Sequence, residues 1–111
     1  MNELLQNLRE NSEEFDYFTM EGTIDSHSEG LLKEIPGKVR TGQVRFDFSK
    51  AGRINSMGIA LLLRCFKEIR EKAEIRLEGL SQMHSMLFKM TGVFLLATPA
   101  EQRADRKEGS A

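Results

Sequence analysis

The feature that most constrains this chain is a strongly apolar helical pattern set between two short alternating runs. Val44, Phe46 and Phe48 share one side of Gln43–Phe48 by a period of two, and Ile75 and Leu77 do the same within Glu74–Glu78. Between them, from Ser56 to about Lys72, Ile59, Leu62, Leu63, Phe66 and Ile69 recur at the spacing of one helix face. Arg64, Lys67, Glu68, Glu71 and Lys72 line the other face, a solvated one. The first turns, Met57 to Leu63, are apolar almost all round, so this end of the helix is either buried on more than one side or presents an apolar patch. A polar loop over residues 49–55 delivers Asn55-Ser56 to the helix start. A serine placed there is either a plain cap or an anion site, because the first turn of a helix has free N–H groups. Asn55 is itself a good cap, which would put Ser56 in the first turn. Gly58 is then a close-approach position or simply a costly residue in that turn.

The same alternation extends in both directions. Leu4, Leu5 and Leu8 have helical spacing over residues 2–10, and Phe15–Met20 is rich in strand formers, with Glu21-Gly22 ending the run. Ser26 followed by Glu29 reads as a capping box before Leu31, Leu32 and Ile35, and Pro36-Gly37 should end or kink that short helix. Ser81 caps a helix over 82–91 whose Met83, Met86, Leu87 and Met90 stripe reads as core, and Gly92 is a natural left-handed stop. Val93–Ala97 reads as a buried strand, and Thr98-Pro99 as the start of a last short helix. Strands and helices alternating with short links predict a single α/β domain with a mainly parallel sheet of about four strands flanked by helices. Residues 1–14 form an N-terminal extension or first element, 15–100 the domain, and 101–111 a polar tail.

Composition narrows the function classes. At 111 residues there is room for one domain, and 16 Lys+Arg against 17 Asp+Glu give a net charge of −1 with no basic half to bind nucleic acid. The eight aromatics, seven Phe and one Tyr, show no pairing with basic residues of the kind single strands stack on. The single cysteine, Cys65, lies in the apolar pattern and reads as a buried reduced thiol, which suits the cytoplasm. No apolar run approaches the roughly 20 residues of a membrane span. Neither a phosphate-binding glycine loop nor a metal-ligand spacing occurs; His27 and His84 stand far apart, and His84 reads as a surface or hydrogen-bonded histidine at the border of a charged face. Asn55-Ser56-Met57-Gly58 lacks the glycine two residues before the serine that a nucleophile elbow uses, so no catalytic constellation and no cofactor are expected.

Four segments in order resemble the STAS domain, and more closely the small bacterial anti-sigma factor antagonists. They are Glu21-Gly22-Thr23-Ile24-Asp25, the stretch from Val44 to Ile59 with its Asn-Ser-x-Gly-Ile helix start, Leu77–Ser81, and Leu87–Val93. The resemblance covers residues 15–97. It implies a curved sheet flanked by helices, no catalysis, and regulation by partner switching. The antagonist captures an anti-sigma factor or similar switch serine kinase, is phosphorylated at the serine of the helix start and released, and is reset by a metal-dependent serine phosphatase. By position that serine is Ser56, with Asp25, Asn55, Met57, Gly58 and Ile59 as the partner-binding surface. Such a protein is expected to be a cytoplasmic monomer or weak dimer. Asn55 stands where the family has Asp, and Met57 where it has a second small residue; these two favour an alternative, a non-switching scaffold or accessory subunit of, for example, a lipid-transport or sensory complex.

Overall fold

The structure, a computed structural model, describes residues 14–100. The elements run β1 (Asp16–Ile24), a 3₁₀ turn (Ser26–Ser28), α1 (Glu29–Lys38), β2 (Gln43–Ile54), α2 (Ser56–Arg70), β3 (Glu74–Glu78), α3 (Gln82–Thr91), a second 3₁₀ turn (Val93–Leu95) and β4 (Thr98–Pro99). The four strands form one sheet in the order β1-β2-β3-β4, and every pairing is parallel. Each helix therefore carries the chain to the next strand in the same direction. Right-handed crossovers then put all three helices over one face.

Burial follows from that arrangement. Met20, Ile24, Val44, Phe46, Phe48, Ile75 and Leu77 point under the helices and are buried. They meet Leu32 and Ile35 of α1, Leu62, Phe66 and Ile69 of α2, and Phe88 of α3. Aromatic contacts tie the layers, with ring centroids of Phe46 and Phe66 at 4.9 Å and of Phe48 and Phe88 at 5.4 Å. The alternate residues make a polar second face. There Arg45 bridges to Glu78 at 3.3 Å and lies 4.0 Å over the Phe15 ring.

Six expectations are corrected. β1 does not stop at Glu21-Gly22: it passes through register shifts on either side of them and reaches Ile24, with Gly22 at φ 75°. Residues 49–54 are strand rather than loop, because the extension of β1 pairs with them, Glu21 with Lys50, Gly22 with Ala51 and Ile24 with Ile54. This long-range pairing leaves no apolar period to read. The first cap is Asp25 rather than Ser26: its carboxylate accepts from the His27 N–H at 2.9 Å, and its own N–H donates to Ser28 Oγ at 3.1 Å. Val93–Ala97 is no strand; Leu95, Leu96 and Ala97 N–H groups turn back onto Gly92 and Val93, and the edge strand is Thr98–Pro99, where a helix was expected. Met83, Met86 and Met90 are each more than half exposed, because α3 turns His84 and Phe88 inward instead. Pro36 lies inside α1, which ends two residues later at Lys38. The helix expected over residues 2–10, and the parts of the N-terminal and C-terminal segments at 1–13 and 101–111, lie outside the described residues.

Candidate functional site

The corner where β2 gives way to α2 is built by backbone before any side chain is considered. The Asn55 N–H donates to the Ile24 carbonyl at 3.3 Å, so the entrance to α2 is tied to the end of β1. Asn55 is extended (φ −95°, ψ −176°) and its Oδ1 accepts from the Gly58 N–H at 2.8 Å. Asn55, and not Ser56, is thus the N-cap of α2, and Ser56 is the first helical residue. Gly58 is buried, and a Cβ there would lie 2.8 Å from the Ile24 carbonyl carbon and closer still to its oxygen. Only glycine lets α2 approach β1 so closely.

That approach sorts the expected site residues. Ser56 is exposed, and among the described residues its hydroxyl makes no hydrogen bond. Met57 is 49 % exposed beside it. Asp25 follows Ile24 directly and so belongs to the same corner, and its Oδ1 is engaged within its own turn, accepting from the His27 N–H at 2.9 Å and lying 3.4 Å from His27 Nδ1. Ile59 is 7 % exposed and belongs to the core, which removes its side chain from the expected partner surface. Gly58 contributes spacing rather than contact. No acidic residue stands in the first turn of α2, while Lys67 and Arg70 occupy its last. This distribution leaves the positive end of the helix dipole uncompensated at Ser56. A groove of about 350 Å³ lined by Pro36, Gly37, Glu68, Glu71 and Lys72 sits at the opposite end of α2.

The arm leading to this corner is braced on the sheet's polar face. Asp47 Oδ1 accepts from the Ser49 N–H and Oδ2 from the Tyr17 hydroxyl, each at 2.9 Å. The Ser49 backbone and side chain, then Tyr17, hold the Asp47 carboxyl below its ordinary range, and the same carboxylate pushes the Tyr17 phenol up. Gly79, at φ 68°, lies so close that a Cβ would sit 2.6 Å from Asp47 Oδ1. Asp47 is therefore a fixed strut. At the start of β1, Asp16 Oδ2 accepts from the N–H groups of Arg40 and Thr41 and from Thr41 Oγ1, all at 2.9 Å.

The family model described as STAS domain matches residues 9–105. The chain belongs to the STAS domain family. Two solved structures share the fold of this STAS domain at low identity. The anti-sigma factor antagonist SpoIIAA in its unphosphorylated form has a TM-score of 0.61 at 18% identity, covering 86% of this chain and 91% of that one. The STAS domain of a SulP transporter from Vibrio cholerae has a TM-score of 0.63 at 11% identity, covering 86% and 84%. No curated protein matches it significantly. Against the sequence-based reading of this STAS domain, two residues of the corner's support were missed. Gly79 carried only a turn signal. His84, expected as a surface or hydrogen-bonded histidine at the border of a charged face, is hydrogen-bonded but buried, and only its spacing of four from Phe88 puts both on the inner face of α3.

Proposed function

We propose that this STAS domain is a non-enzymatic binding module whose partner docks on the β2–α2 corner and is released when Ser56 is phosphorylated. The observation that carries the reading is the division of labour between neighbours. Asn55 takes the capping hydrogen bond, so the Ser56 hydroxyl stands exposed and unengaged at the positive end of a helix. A serine needed as the cap would lose that bond on modification; this one has none to lose. A phosphoserine adds about 1.5–2 negative charges, which a helix N-terminus favours by about 0.3–1 kcal/mol. The domain itself has no reason to rearrange. A docked partner does, because the dianion would sit unpaired and desolvated beside Met57. A loss of about 3 kcal/mol weakens binding on the order of a hundredfold.

The partner in this reading is an anti-sigma factor or switch serine kinase. It passes the terminal phosphoryl group of ATP to Ser56 Oγ: the new O–P bond forms as the bridging β–γ bond breaks, ADP leaves, and a base of the kinase takes the hydroxyl proton. A metal-dependent serine phosphatase reverses the mark by hydrolysis. The contact surface is Asp25, Asn55 and Met57 around Ser56, the acting unit is residues 15–100, and the setting is the cytoplasm. Affinity purification of the wild type, Ser56→Ala and Ser56→Asp, with mass spectrometry of partners and phosphosites, tests it. The expected results are a single phosphoryl group on wild-type Ser56, none on Ser56→Ala, and weakened capture by Ser56→Asp. Undiminished partner binding by the fully phosphorylated protein would sink the reading.

A second reading is favoured by Met57, whose exposed thioether enlarges the apolar surface at the corner. In it the domain is a constitutive scaffold or accessory subunit. Its signature is a stable complex that is indifferent to both Ser56 variants.

A further inference from the structure

Among the described residues, β2 beyond Asp47 has a strand on one side only. Its pairing with β3 runs from Gln43–Glu74 to Asp47–Glu78 and ends, whereas its pairing with β1 continues to Ile24–Ile54. The first turn of α3 meets this arm through the His84 side chain. His84 Nε2 lies 2.8 Å from the Gly52 carbonyl oxygen. Gly52 precedes Ser56 by four residues. The His84 ring is held between aromatic neighbours, with centroids 6.3 Å from both Phe48 and Phe88.

The polar balance of the ring shows what it is for. A carbonyl oxygen only accepts, so Nε2 is the donor in this contact. His84 is 4 % exposed, and Nδ1 has no partner among the described residues. An apolar residue would fill the same space without burying an unsatisfied atom. The Nε2 hydrogen bond is what the histidine adds over such a residue.

We infer that His84 is a positioning residue: its Nε2–H holds the β2 arm where β3 no longer pairs with it and fixes the path by which Asn55 and Ser56 reach the helix start. The inference that this matters for regulation rests on the Ser56 reading. The geometry of the arm does not, and it is what the test reads, so the two fail separately.

Amide hydrogen exchange on the full chain compares the wild type with His84→Phe, which keeps a ring but has no donor, and His84→Gln, whose amide nitrogen reaches about as far as Nε2. Loss of one hydrogen bond predicts about a tenfold faster exchange over Lys50–Gly58 in His84→Phe, with α1 and β3 unchanged. Rescue to the wild-type rate is expected in His84→Gln. Unchanged exchange over the arm in His84→Phe would overturn the inference. So would acceleration of all elements together, unfolding included, since that marks a core residue and nothing more. An arm as loose in His84→Gln as in His84→Phe would also overturn it, because the donor would then be irrelevant.

Discussion

The Cβ that Gly58 lacks would fall on the carbonyl group of Ile24. The same carbonyl oxygen accepts the Asn55 N–H, so one peptide group of β1 sets both where α2 begins and how near it stands. Gly58→Ala gains up to about 1 kcal/mol in helix propensity but must push backbone against backbone. The clash is the larger effect. Urea denaturation is expected to show Gly58→Ala destabilised by about 1–3 kcal/mol, with the fold retained.

Asn55 and Ser56 should separate in stability. Asn55→Ala removes the cap of α2 and is expected to cost about 1 kcal/mol. Asn55→Asp keeps an acceptor and adds a charge at the helix N-terminus, so it should match or exceed the wild type by a few tenths of a kcal/mol, reaching about 1 at low ionic strength. Ser56→Ala, whose hydroxyl is exposed and unengaged, should stay within about 0.5 kcal/mol of wild type. Thermal melts at matched salt measure all three. A large loss in Ser56→Ala would mean that the serine is part of the scaffold.

Two carboxylates make the fold acid-sensitive. Asp47 is held below its ordinary value of 3.8 by the Ser49 and Tyr17 hydrogen bonds. At Asp16, burial pushes the carboxyl up, but the hydrogen bonds from Thr41 and Arg40 outweigh it and the net shift is downward. A depressed folded pKa means that the unfolded chain binds protons more readily. The stabilisation is therefore complete above the unfolded pKa and is lost as pH falls through the folded one. Urea midpoints followed downward from about pH 5 should decline in the wild type, and Asp16→Asn and Asp47→Asn should each flatten that decline.

Cys65 should be chemically silent in the native protein. Burial, then the charge of Glu68, pushes its thiol up to about 12, and the thiolate is the reactive form. An aromatic disulfide reagent near neutral pH is expected to label it only through unfolding. Its rate should therefore rise with urea in step with the unfolded population. Rapid stoichiometric labelling in buffer would contradict the buried placement.

Elements whose signal is local were legible in the sequence. Gln43–Phe48, Glu74–Glu78 and the helices at 56 and 82 all follow from side-chain period, caps and Gly92. So does the placement of Ser56 at a helix start. What tertiary structure decided is everything that depends on a distant partner. Residues 49–54 are strand because β1 reaches up to pair with them, and Val93–Ala97 is a turn because Thr98–Pro99 takes the edge beside Arg76 and Leu77. The three methionines lie outward because His84 and Phe88 claim the inner face of α3. Periodicity shows that a helix has an apolar side, but α3 has two candidates for it, and only packing against Phe48 and Gly52 chooses between them. The serine itself was readable by position; that Asn55 leaves its hydroxyl free was decided by Ile24 and Gly58, which fix the turn in which Asn55 is the cap.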